Sequence, residues 1–291
     1  MRGQRILITG AARGIGAALA EKLAAQGARL ALVGLEPDRL AAVASRCGEG
    51  TFVAECDVSD NDQVVKALDA AAEALGGLDV VVANAGIATA GPLRSVDVRS
   101  WQRVIEINLL GVMYTDRAAL PHLERSRGYV LNVASAAAVA RGPGMSAYCS
   151  AKAGVEALSD CLRVEMMGLG VGVGVAYFLF LDTDMVNDSE REMPLMAKAK
   201  GELPRTFART YPLPPAVDEL VAAIAERRRR VSYPRWFLKL LPLRQLLASK
   251  LLEREAGKRS LETIRTHEQM VAERGASAAS ASERTRDLAR L

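Results

Sequence analysis

A tyrosine and a lysine stand four residues apart in the stretch MSAYCSAKAG, residues 145–154. On a helix that spacing puts Tyr148 and Lys152 on one face, one turn apart. A free phenol titrates near pH 10 or so and is a poor acid or base at neutrality (about 10 in model peptides). An ammonium about 4 Å away, at an effective dielectric of about 20, favours the phenolate by roughly 4 kcal/mol. As an upper bound, that brings the phenol close to neutral pH. The pair thus has the chemistry of a tuned proton donor and acceptor. The same spacing also occurs on ordinary helix surfaces, so its meaning depends on what the rest of the chain sets beside it.

A second chemical signature opens the chain. LITGAARGIGAALA places Gly10, Gly14 and Gly16 at the end of a predicted strand and the start of a predicted helix, with Arg13 and Ile15 among them. Glycines permit a tight turn and close backbone approach, and a helix N-terminus offers unpaired N–H groups to a pyrophosphate. A plain glycine-rich turn is the competing structural explanation. Asp57, followed by Val58 in CDVSD, is placed to accept from an adenine amino group, or else merely leads into the next helix. Asn84, Ala85 and Gly86 form another glycine-bearing turn at a strand's carboxyl end, where open α/β sheets bind ligands.

The elements that must position these groups follow from the apolar runs. Strands are predicted at 5–9, 28–33, 51–56, 78–83, 129–134 and 171–178, with a short one at 231–234. Their β-branched, barely alternating character suits strands buried on both faces. Amphipathic helical patterns alternate with them, including one long stretch over 99–125 and another over 146–169. Alternation of this kind predicts βαβ units, hence an α/β fold with a doubly wound parallel sheet, helices on both faces and a C-terminal helical extension. Residues 182–214 break the alternation and are expected to form a lid loop over the substrate.

Composition narrows the class. Of 291 residues half are hydrophobic and a quarter charged, which suits a globular chain with one large core. The net charge of +4 is too small to imply nucleic-acid binding by the whole chain. Cys47, Cys56, Cys149 and Cys161 show no metal-ligand spacing, and His122 and His267 lie far apart, so no metal site is expected. No signal peptide is visible, and no apolar run reaches the roughly 18 residues of a membrane span. The expected location is cytoplasmic.

Together these motifs resemble the short-chain dehydrogenase/reductase family over residues 4 to about 233. The resemblance rests on the T-G-x-x-x-G-x-G run Thr9 to Gly16, Asp57–Val58, Asn84 to Gly86, Asn108 in EINLLG, Ser135 in NVAS, and Tyr148 with Lys152. It implies a Rossmann fold and an NAD- or NADP-dependent interconversion of an alcohol with its ketone or aldehyde. By the same resemblance Tyr148 moves a proton at the substrate oxygen and Ser135 hydrogen-bonds that oxygen. Lys152 lowers the tyrosine pKa and binds the nicotinamide ribose, and Asn108 holds a water linking Lys152 to solvent. Thr183 contacts the nicotinamide amide. A homodimer or homotetramer is implied. A catalytically silent dinucleotide-binding scaffold or sensor is the alternative, and would be free to lose Tyr148 or Lys152.

Two departures from the family pattern matter. Arg13 resembles the NADP-type pattern, yet the second strand ends VGLEPD, where Glu36 facing the ribose would favour a 2′-hydroxyl. The balance leans to NADP. Phe178 and Leu179 stand where members commonly carry Pro-Gly, so two apolar groups wall the pocket before Thr183.

Residues 1–233 are thus expected to form the enzyme domain, with 234–291 a basic amphipathic helical extension and flexible tail. Trp236, Phe237, Leu240 and Leu241 precede Pro242, which can open a helix carrying Leu243, Leu246, Leu247 and Leu251 on one face. A peripheral membrane contact through 235–252 competes with packing against the enzyme body or another subunit. The apolar tail and methionine-rich insertion together point to a hydrophobic substrate.

Overall fold

The computed structural model describes residues 1–244, 250, 254, 257–258 and 260–290. Seven parallel strands make one sheet: β1 (Arg5–Thr9), β2 (Arg29–Gly34), β3 (Phe52–Glu55), β4 (Val80–Ala83), β5 (Tyr129–Val133), β6 (Gly172–Phe178) and β7 (Arg230–Tyr233). Their spatial order is β3-β2-β1-β4-β5-β6-β7. The helices between them are α1 (Gly14–Ala24), α2 (Pro37–Cys47), α3 (Asn61–Leu75), α4 (Val98–Ile105), α5 (Gly111–Ser126) and α6 (Ser146–Glu165). After β6 come α7 (Asp184–Glu192), α8 (Pro194–Gly201), α9 (Arg205–Ala208) and α10 (Leu213–Glu226).

Both faces of the sheet are buried, which is why the strands read as continuous apolar runs. Ile6, Ile8, Leu30, Leu32, Val80 and Val82 face α1, α2 and α10, where Leu19, Leu40 and Leu220 meet them. The alternate residues Leu7, Ala31, Val81 and Val130 face the other way, onto Leu68 of α3, Leu123 of α5 and Ala151 of α6. Strand order reverses between β1 and β4, so the loops leaving their carboxyl ends diverge and open a crevice. Most of the site motifs lie along it.

The stretch 99–125 is not one α-helix. Glu106–Leu110 widens into a π turn between α4 and α5. The wider turn aims Asn108 inward, where it accepts from Ile87 N and donates to Ile87 O, both at 2.8 Å. That pair satisfies both main-chain polar groups of buried Ile87. Behind it, buried Asn132 of β5 donates to Asp116 of α5 (2.7 Å) and to Ser159 of α6 (3.0 Å). One polar contact set thus ties together the elements that carry Asn108, Ser135 and the Tyr148–Lys152 pair.

Residues 182–214 are mostly helical rather than a loop, as α7, α8 and α9. Pro194 at the start of α8 is preorganised for a first helical turn. The tail also differs from expectation. Arg235–Leu243 is a single 3-10 helix with Pro242 inside it. Phe237 and Leu241 are buried beside Tyr177 and Val155, and Arg244 pairs with Glu156 at 2.9 Å. The apolar face of this segment therefore covers the enzyme body. Leu243 is exposed, while Leu246, Leu247 and Leu251 lie outside the described residues.

Beyond them, α11 (Ser260–Arg274), α12 (Ala276–Ser280) and α13 (Glu283–Arg290) fold back onto the carboxyl edge of the sheet. Part of the tail expected to be flexible is buried instead: residues 279–282 are covered, with Ser280 at 0% exposure and Ala279 and Ala281 at 2%. Its small side chains allow close main-chain approach: Ala90 N donates to Ser280 O (2.8 Å) and Asp97 N to Ser280 Oγ (3.1 Å).

Candidate active site

The crevice is shaped first by its glycines. Gly10 (φ +64°) and Gly14 (φ +53°) adopt left-handed backbone that side chains disfavour. At Gly16 a Cβ would strike Gly10 O and stand 2.8 Å from Asn84 Nδ2. Asn84 explains that closeness. Its amide donates to Thr9 O (3.0 Å) and Gly10 O (3.2 Å), and Thr9 Oγ1 accepts from Asn84 N and Ala85 N. Asn84 is thus a staple between the β1 and β4 loops, holding the glycine turn in shape. Gly86 leaves room of a different kind: a Cβ there would meet Asn108 Oδ1 at 3.2 Å and Lys152 Nζ at 3.7 Å.

A single groove collects nearly every sequence-predicted position. At one end it is lined by Glu36, Asp57 and Val58, in the middle by Gly10, Arg13, Gly14, Ile15, Asn84, Ala85 and Gly86, and at the other end by Ser135, Tyr148, Lys152 and Thr183. Gly16 sits beneath it, buried at the start of α1. Asn108 reaches it only through Ile87 and the space beside Gly86. Thr183 caps the entry to α7 and approaches the space over Gly14 within 3.7 Å.

The polar groups at the ends are already engaged. Asp57 accepts from Ser59 N (2.9 Å) and Ser59 Oγ (2.7 Å), and pairs with Arg103. Burial pushes its pKa up, but the Ser59 bonds and Arg103 together hold the carboxyl below its usual range. Arg13 grips Glu36 with two nitrogens, Nε at 2.7 Å. It also lies 3.4 Å from Asp184.

At the other end, Tyr148 is half-buried and Lys152 only 3% exposed. Lys152 Nζ donates to Val133 O at 2.8 Å and lies 5.8 Å from the centre of the Tyr148 ring. The expected electrostatics need correction here. Burial pushes the Tyr148 phenol up, and the neighbouring Ser135 side chain, not the ammonium, pulls it back. Burial likewise lowers Lys152 to about 8. The cause is burial, which disfavours the charged form of Lys152, while the Val133 carbonyl takes up one of its protons.

The arrangement fits a dinucleotide. Two left-handed glycines and a Gly16 with no room for a Cβ keep the turn tight against the Asn84–Ala85 loop, at a helix N-terminus that offers N–H groups. Beyond it, a buried lysine with one of its three protons engaged stands beside a phenol and a serine.

Comparison with known proteins decides the family. The short chain dehydrogenase family matches residues 4–194. The chain belongs to the short-chain dehydrogenases. It is 36% identical over 228 residues to cis-4-hydroxycyclohexanecarboxylate dehydrogenase of Sinomonas cyclohexanicum, covering 75% of this chain and 88% of that one. It is 39% identical over 168 residues to the NAD(+)-dependent 2-dehydro-3-deoxy-L-rhamnonate dehydrogenase of Sphingomonas sp. (strain SKA58), covering 57% and 67%. Among solved structures, levodione reductase superposes with a TM-score of 0.72 at 28% identity, covering 80% of this short-chain dehydrogenase and 95% of that chain. The protein is accordingly an alcohol-oxidising oxidoreductase on a Rossmann fold, of a family that uses NAD(P). Among the described residues no helix is long and apolar enough to cross a membrane.

Several groove residues escaped the sequence: Ile107, Leu181, Asp184, Met185, Val186 and Leu288. The first five adjoin recognised motifs and could have been found by extending them. Leu288 had no local signal, because only the fold brings the last helix back to the groove.

Proposed function

We propose that this enzyme interconverts a hydrophobic secondary alcohol and its ketone, with NAD(H) as the dinucleotide. The observation that carries the proposal is the convergence of Ser135, Tyr148 and Lys152 at one end of the groove that has the glycine cradle at its middle. A bound nicotinamide supplies the hydride donor or acceptor. At neutral pH Tyr148 is a protonated phenol, suited to deliver a proton to a carbonyl oxygen as charge develops there. Ser135, beside the phenol, polarises the same oxygen. Lys152 has ammonium protons left over from Val133 O for ribose hydroxyls. Asn108, from the π turn, fixes the Ile87 main chain after β4, beside Gly86 and close to that ammonium.

For the dinucleotide, Arg13 alone favours NADP. Its guanidinium, however, is already held by Glu36, and a 2′-phosphate must displace that carboxylate. The space outside Glu36 adds Asp188, Glu192, Glu283 and Asp287 against Arg191 and Arg284. Such a wall suits a neutral 2′-hydroxyl better than a dianion.

For the substrate, Ile87, Phe178, Leu179, Leu181, Met185 and Val186 make the wall near Tyr148 apolar. The hydroxycyclohexanecarboxylate relative, named for an alcohol on a carbon ring, is consistent with this class. A panel of cyclic, long-chain and small polar alcohols, followed by NADH and NADPH absorbance, tests both choices. Turnover is expected with apolar alcohols and NAD. Preference for the small polar ones, or for NADP, overturns the corresponding half.

A further inference from the structure

The C-terminal helix α13 reaches the dinucleotide groove, although it lies more than 100 residues beyond the last of the motifs that identify the family. We infer that α13 is the outer wall of the dinucleotide site and retains the bound dinucleotide, with Leu288 as the contact and Arg284 as the latch. This rests on the groove being the dinucleotide site.

The chain brings α13 there by two unlike joints. The inner one is built to stay closed. His267 is fully buried, shares a 2.8 Å hydrogen bond with Ser95 and packs against Gly91. Leu195 of α8, Met270 of α11 and Ala279 of α12 form a small apolar core of their own. The outer joint is polar and partly exposed. Arg284 Nη1 lies 2.7 Å from Asp188 and 3.2 Å from Asp184, both on α7, and Glu283 N donates to Glu192 at 2.7 Å. Asp188 is buried, but the Arg284–Asp184 pair and the Glu283–Glu192 contact are partly exposed and individually weak, so this joint opens more easily than the inner one.

Past the latch, half-buried Leu288 turns to the groove and packs against the core cluster under α4. It roofs the groove rather than plugging it. One continuous cavity still runs from Asp57 to Tyr148, with Leu288 in its wall. Asp184 joins both systems, since Arg13 lies 3.4 Å from it on one side and Arg284 3.2 Å on the other. The latch therefore sits directly beside the Arg13–Glu36 pair at the ribose end.

Stopped-flow NADH fluorescence on the intact protein, on L288A, on R284A and on a chain ending at Ala281 tests the inference. Loss of the wall is expected to raise the NADH dissociation rate about tenfold in the truncated chain, with a smaller rise in each point variant and little change in association. The point variants guard against misfolding of the truncated form. Unchanged dissociation overturns the inference, as does faster association with tighter binding, which would make α13 a plug. An intact chain that binds no NADH would instead end the functional proposal itself, and this inference with it.

Discussion

At the scale of single residues, the site works through burial as much as through charge. A surface tyrosine beside a lysine would be drawn towards phenolate, but here both groups lose water, and desolvation moves each towards its neutral form. The same trade-off governs the ribose end. Arg13 is lowered to about 10, first by burial and then by Arg284 and Arg39, although Asp184 and Asp188 oppose this. Glu36 is the group that makes Arg13 unavailable, so Glu36→Gln releases the guanidinium and removes a like charge from an incoming phosphate. The ratio of kcat/KM for NADPH to that for NADH is expected to rise about tenfold or more, roughly 1–2 kcal/mol of transition-state binding. A ratio unchanged in E36Q would show that Glu36 does not face the ribose.

At the scale of elements, the buried set Asp116, Asn132 and Ser159 joins α5, β5 and α6. Burial pushes the Asp116 carboxyl up to about 7, against the Asn132 hydrogen bond. Asp116 Oδ1 and Asn132 Oδ1 both lack a partner, so a proton on Asp116 suits the site. A folded-state pKa above the unfolded one means the stabilisation is complete below about pH 4 and is lost as pH rises through about 7. Asp116→Asn keeps a donor for Asn132 Oδ1 without a titrating proton. Urea unfolding across pH 4 to 8 should therefore show wild type weakening relative to D116N, while D116A loses about 1–3 kcal/mol at every pH through the orphaned amide. Parallel wild-type and D116N profiles would contradict a protonated Asp116.

At the scale of the whole molecule, the sheet and most of the groove were legible because strand burial on two faces writes itself as unbroken apolar runs. The motif residues Gly10 to Gly16, Asn84 to Gly86 and Ser135 then fall at the carboxyl ends of those strands, with Tyr148 on α6 beside them. Legibility stopped where the signal is not periodic. The π turn at Asn108 hides inside a helical pattern, since one extra residue in a turn leaves the amphipathic face almost intact. The run of alanines and serines near 280 looks disordered by composition, yet small side chains are what close contact with Ala90 and Asp97 requires. The leucines and aromatics after β7 leave both membrane contact and body packing open in pattern, and Phe237 and Leu241 are found against Tyr177.

The account stands on Tyr148 acting as the proton donor at one end of a dinucleotide groove, and Tyr148→Phe, assayed for turnover and for NADH binding on the same preparation, addresses it most directly. Turnover should fall at least about a thousandfold, the loss expected of a general acid with its oxygen deleted, while NADH affinity stays within about twofold of wild type. Retained turnover in Y148F would contradict the central claim.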